Sequence, residues 1–200
     1  MASSFKRAAL ALAAAAALPG AALADVTYSF TGATYNGGWA SFAAATHLGP
    51  VVGTLTAITA NWVLDAQAGT TFASDLAVLV GDDEAPGAVG GAVLQVGGWS
   101  TYPGLAAGVD RFTWGVGNST APGTAVSATV ALVTPLVFSG GAGDPAVLLG
   151  NAWNSASAWG TWTGSVTLVG VSAVPEPGTW ALLLAGGAGL AGWARRRRAA

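Results

Sequence analysis

The chain has no cysteine, one methionine and one histidine in 200 residues, and only 8% of its residues are charged. Without cysteine it builds neither a disulfide scaffold nor a thiolate metal site. Soluble domains ordinarily carry about 25% charged residues, so the shortage of charge is the dominant feature. Base is scarcest in the middle. Residues 25–173 hold one, Arg111, against eight acids, a formal net charge of −7. A nucleic-acid interface needs clustered Lys and Arg to neutralise phosphates, which this stretch cannot supply. Nor is it a charge-driven disordered tail, because 52% of the chain is hydrophobic and such tails stay unfolded for want of apolar residues.

The remaining six basic residues lie at the two ends. Lys6 and Arg7 precede an unbroken apolar run over 8–18, too short to span a bilayer. Pro19-Gly20 ends that helix, and Ala22-Leu23-Ala24 places small residues before Asp25. This pattern reads as a secretory signal peptide over 1–24, cleaved after Ala24, with Asp25 as the first mature residue. At the other end, Val174-Pro175-Glu176-Pro177-Gly178 blocks regular structure, since two prolines fix φ and remove donors. Residues 178–194 then carry no charge and predict a transmembrane helix of about 25 Å. Trp180 and Trp193 stand near its ends, and Arg195, Arg196, Arg197 and Arg198 follow as a cytoplasmic anchor.

Val174-Pro175-Glu176-Pro177, a short apolar helix and a terminal arginine cluster, in that order, resemble the PEP-CTERM sorting signal. That signal marks exosortase substrates in Gram-negative bacteria that make exopolysaccharide. The resemblance implies export by the secretion machinery and a transient inner-membrane anchor. It further implies cleavage near Pro175-Glu176-Pro177 and release to the cell surface or extracellular matrix. Because the family is defined by its tail, it leaves the chemistry of the middle open. The expected organisation is a signal peptide (1–24), an ectodomain (25–173) and a sorting signal (174–200).

The ectodomain's 24 glycines and six prolines are spread along its length, so no internal boundary is expected. Short alternating runs lie between them. Val26, Tyr28 and Phe30 alternate with Thr and Ser; Ile58, Ala60, Trp62 and Leu64 form a second set. Leu76, Val78 and Val80, then Phe112, Trp114 and Val116, then Val126, Ala128, Val130 and Leu132 follow, and 161–171 closes the series. Period two with β-branched and aromatic residues bounded by glycine predicts strands. Eight to ten of them predict an all-β, antiparallel β-sandwich or jelly roll, with outward threonine replacing charge. Ala73-Ser74-Asp75-Leu76-Ala77-Val78, Leu94-Gln95-Val96-Gly97-Gly98 and Gly160-Thr161-Trp162 resemble the β-rich ectodomains of other PEP-CTERM proteins. They are also similar to jelly-roll P-domains beside secreted proteases. Neither resemblance transfers a functional residue.

The ionisable inventory is short. His47 sits in a loop-like stretch before Gly49-Pro50, and no G-x-S-x-G elbow accompanies it, so a Ser-His-Asp hydrolase is disfavoured. Glu84 is the only ectodomain glutamate, and no spacing sets two carboxylates across a sugar. Asp82-Asp83-Glu84 is the densest anionic cluster. It reads as a solvated turn, with calcium ligation as the alternative, since hard oxygens suit that ion; no other cofactor is expected. Asn118-Ser119-Thr120 matches a glycosylation sequon and reads as a turn before Pro122. Of seven ectodomain tryptophans, Trp62, Trp114 and Trp162 fall on alternating runs and belong to the core. Trp39, Trp99, Trp153 and Trp159 fall near glycine, Asn and Ser in loop-like sequence; they read as rings folded over the end of the sandwich, with a sugar-stacking platform as the alternative. The leading expectation is an exported, non-catalytic surface or matrix protein associated with exopolysaccharide or biofilm. The alternative is a carbohydrate-binding module using the loop tryptophans.

Overall fold

The computed structural model describes residues 25–37, 46–81, 92–100, 105–141, 143–153, 155, 157–174 and 186. The signal segment, Trp39, Asp82-Asp83-Glu84 and the tail beyond Val174, Gly186 apart, lie outside the described residues, and with them the expected signal and transmembrane helices. Among the described residues no helix is long and apolar enough to cross a membrane.

Among the described residues nine strands follow one another: β1 (Val26–Asn36), β2 (Thr46–His47), β3 (Val51–Ala68), β4 (Leu76–Gly81), β5 (Ala92–Val96), β6 (Leu105–Phe112), β7 (Ala125–Ser139), β8 (Ala146–Asn151) and β9 (Trp159–Ala173). A single 3-10 turn, Ala73–Asp75, joins β3 to β4. The strands form two sheets, ordered β1-β9-β3-β7 and β2-β8-β4-β5-β6. One hydrophobic cluster draws on both: Ile58, Trp62, Val126, Trp162 and Leu168 from the first, Leu76, Val78, Leu94, Val96 and Leu149 from the second. The all-β expectation holds. Two details of it do not.

First, the pairing is not antiparallel throughout, because β5 and β6 run parallel. The residues after β5 explain the departure. Gly97 and Gly98 both take positive φ, +90° and +78°, which turns the chain out of the sheet instead of straight back. A Cβ at Gly97 would collide with the Trp114 indole and one at Gly98 with Ala152, so only glycine fits this exit. Second, the expected strand through Trp114 and Val116 stops at Phe112. Gly115 and Gly117 take positive φ, +73° and +81°, and the chain bends there in place of continuing the strand.

The outward face of the first sheet shows how the chain stays polar with little charge. Thr27, Thr167, Thr59 and Thr129 stand in register across all four strands. Their hydroxyls pair at 2.8 Å (Thr27–Thr167) and 2.9 Å (Thr59–Thr129). The next row is Ser29, Ser165, Asn61 and Ser127. Cross-strand hydroxyl pairs stabilise a sheet and keep its outer face wet. The inward face carries the expected tryptophans. Trp62 and Trp162 are buried and both donate their indole N–H to the Ala73 carbonyl, at 3.1 and 3.2 Å. Trp114, edge-on to Trp62 at 5.1 Å, donates to the Leu76 carbonyl at 2.8 Å. A buried indole N–H without an acceptor costs about 1–3 kcal/mol; two carbonyls at the ends of the turn after β3, those of Ala73 and Leu76, accept all three.

Candidate functional site

Three segments far apart in sequence meet beside the β3–β4 turn. Phe72 enters that turn, Trp99 follows the glycine pair after β5, and Trp153 follows β8. Their rings form a cluster. Phe72 and Trp99 are stacked at 6.5 Å and 20°, Phe72 and Trp153 lie 5.7 Å apart, and Trp99 and Trp153 lie 6.2 Å apart. Trp99 is 69% exposed, which is unusual for the largest apolar side chain, while Phe72 and Trp153 are half-buried. The cluster therefore presents an indole to solvent and backs it with two rings.

The backbone under Trp99 is tied at many points. Gly98 N–H donates to the Ser74 carbonyl (2.9 Å) and Ser100 N–H to the Ala152 carbonyl (3.2 Å). Gln95, fully buried, donates its side-chain amide to the carbonyls of Gly97 (3.0 Å) and Ser100 (2.8 Å). Arg111, the only ectodomain base, donates Nη2 to the carbonyls of Gly98 (3.0 Å) and Trp99 (2.8 Å). Asp75 completes the set from below. It is 1% exposed; Oδ2 accepts the Phe72 N–H at 2.7 Å and Oδ1 the Trp99 N–H at 3.2 Å. Burial pushes its carboxyl up to about 6, against the two backbone N–H bonds, which lower it.

A cleft of about 270 Å³ opens beside Trp99, lined also by Ser74, Arg111, Thr113, Trp114 and Asn118. That is just below the range of about 300–1,000 Å³ of pockets that engulf small molecules, so the cleft suits a ligand lying along the surface. Its rim offers a guanidinium, an amide and hydroxyls, both donors and acceptors, next to an aromatic plate. Asn118, the sequon residue, faces this rim and accepts a hydrogen bond from Ser74 Oγ at 3.2 Å.

The structure brings together two of the four tryptophans singled out for sugar stacking, Trp99 and Trp153. Trp159 is not in a loop: it opens β9, half-buried, opposite Asn36 and Ala68. Trp39 lies outside the described residues. Phe72 and Asp75 were not anticipated. Their signal is an acid three residues after the residue that begins a turn, where a carboxylate reaches back to a free N–H. His47 ends the two-residue strand β2 and is exposed. Among the described residues no group of three His, Asp or Glu side chains is placed to hold a metal ion; Asp82-Asp83-Glu84 is not among them.

Fold and site define a two-sheet, mostly antiparallel domain with an aromatic, polar-rimmed face. The tail identifies how such a domain is handled: residues 173–198 match the PEP-CTERM protein-sorting motif. The motif supports an exported chain sorted by exosortase, with a transient C-terminal membrane anchor before display at the surface. No curated protein and no solved structure matches the chain.

Proposed function

We propose that this chain is a cell-surface or extracellular-matrix protein without catalytic activity or cofactor, whose ectodomain holds exopolysaccharide at the Trp99 cleft. The observation that carries the reading is the exposed Trp99 ring, braced by Phe72 and Trp153 and flanked by Arg111, Thr113 and Asn118. The apolar face of a pyranose stacks on an indole, while its hydroxyls find donors and acceptors on the rim. The strand order adds support. With β6 set aside, β1-β9-β3-β7 over β2-β8-β4-β5 is the interleaving of a jelly roll, an architecture that lectin domains share. That is analogy of fold; the ligand class is argued from the site.

The absence of catalysis is inferred from how the acids are used. Asp25 accepts the Gly170 N–H (2.9 Å), Asp65 the Thr163 hydroxyl (2.7 Å) and Asp144 the Gly140 N–H (2.6 Å). Each of these carboxylates fixes local structure, and Asp75 is buried under the aromatic cluster. The hydroxyl rows of the first sheet would add weak, repeated contacts with the same matrix.

Titrating the purified chain with exopolysaccharide from its producing cells tests the proposal. Tryptophan fluorescence is expected to change with that polymer and not with unrelated glycans. Trp99→Ala is expected to weaken binding by at least about tenfold, the loss typical of a central aromatic anchor. Because Trp99 is exposed, unfolding should shift by only about 0.5 kcal/mol. Unchanged affinity in Trp99→Ala would remove the cleft from consideration.

A further inference from the structure

We infer that Asp75 is the positioning residue of the aromatic platform, and that its ionised form is the one that holds Trp99 in place for ligand. This rests on the reading of the cleft as a glycan site, and it extends that reading to regulation by pH.

The geometry converges on one residue. The two carboxylate oxygens each hold the backbone N–H of one platform residue, Phe72 on one side and Trp99 on the other. The main-chain carbonyl of Asp75 accepts the N–H of Ala152 at 2.8 Å, next to Trp153. All three aromatic segments are therefore tied to Asp75, and the near-parallel stacking of Phe72 on Trp99 follows from their sharing one carboxylate. An ionised carboxylate accepts strongly on both oxygens; a protonated one accepts well on its carbonyl oxygen only, and weakly on the oxygen that carries the proton. Of the two bonds, that to Trp99 is the longer, at 3.2 Å against 2.7 Å, and it is the one to yield.

Burial and the two backbone N–H bonds are what move this group. From β6 the charged group facing the loop is Arg111, which stays protonated at any relevant pH and holds the carbonyls of Gly98 and Trp99. Residues 151–153 bring Asn151, Ala152 and Trp153, and 113–118 bring no titratable side chain. Burial moves the carboxyl to about 6, inside the range that an acidifying matrix crosses. Above that value Asp75 tethers both Phe72 and Trp99; below it the bond to the Trp99 N–H is lost, and the loop is held by Arg111, Gln95 and the Gly98 and Ser100 backbone bonds.

Near-ultraviolet circular dichroism of the full chain in detergent, without ligand, tests the positioning directly. A tryptophan transition is expected with a midpoint near 6. Asp75→Asn, which presents one oxygen and one N–H to the two amides, is expected to abolish it. Trp99→Phe, in which Asp75 is intact, is expected to remove most of its amplitude. Glycan affinity in the wild type should fall about tenfold between pH 7 and pH 5, the loss of roughly one hydrogen bond, and stay flat and weak in Asp75→Asn. No transition in the wild type, or one of full amplitude in Trp99→Phe, overturns the inference even if Asp75→Asn does not fold. A transition that follows these expectations in a protein that binds no glycan upholds Asp75 as the positioning residue and rejects the glycan reading.

Discussion

Asp75 carries opposite consequences for the loop and for the whole fold. Its carboxyl titrates near 6 in the folded chain and near 3.9 in the unfolded one. Between those values the folded state binds more protons, so stability falls as pH rises through the window and is level above it. The difference is up to about 3 kcal/mol. Chemical denaturation at pH 4 and pH 7 should therefore show a more stable protein at the lower pH from this group, and Asp75→Asn should remove that part of the slope. The same proton that loosens Trp99 relieves a buried charge. The carboxylate is kept under the platform at a cost in stability because two acceptor oxygens hold both the Phe72 and the Trp99 N–H, where an Asn offers one.

The loop that follows β5 depends on glycine for two separate reasons, conformation and space. Gly97→Ala is expected to cost about 2–4 kcal/mol, combining a left-handed backbone with a collision against Trp114. Thermal unfolding measures it. Strands were readable wherever period two met β-branched residues, as in β1, β3, β7 and β9. The parallel β5–β6 pair was not readable, because an exit through Gly97-Gly98 looks in sequence like an ordinary hairpin turn. β4 reads in sequence as one of the alternating runs, yet it is buried along its whole length, as suits the unbroken apolar stretch Leu76-Ala77-Val78-Leu79-Val80. Phe112-Thr113-Trp114 misled for a physical reason: Trp114 does point inward, but from an irregular segment whose indole is fixed by the Leu76 carbonyl.

For the molecule as a whole, the tail and the ectodomain are separable in role. Replacing Pro175, Glu176 and Pro177 by alanine is expected to hold the protein in the membrane fraction, and the native chain is expected to be released from it. Cell fractionation reads the outcome, and equal release would overturn the sorting role of those three residues. Ectodomain folding should be unaffected, since among the described residues Val174 is the last tied to the sheets, through its N–H bond to the Pro50 carbonyl at 3.1 Å.

The sorting motif, the strand periodicity and the core role of Trp62, Trp114 and Trp162 are local properties. They follow from charge order, side-chain alternation and glycine spacing, all of which precede folding, and so they are legible in one dimension. The scarcity of charge that first marks the chain is likewise explained locally, by rows of Thr and Ser on outward strand positions. Which aromatics meet is not local. Phe72, Trp99 and Trp153 come together only because β4 pairs with β8 on one side and β5 on the other, a choice made by burial of the entire core. The same packing puts Asp75 out of water, sets its proton affinity and leaves Trp99 outside.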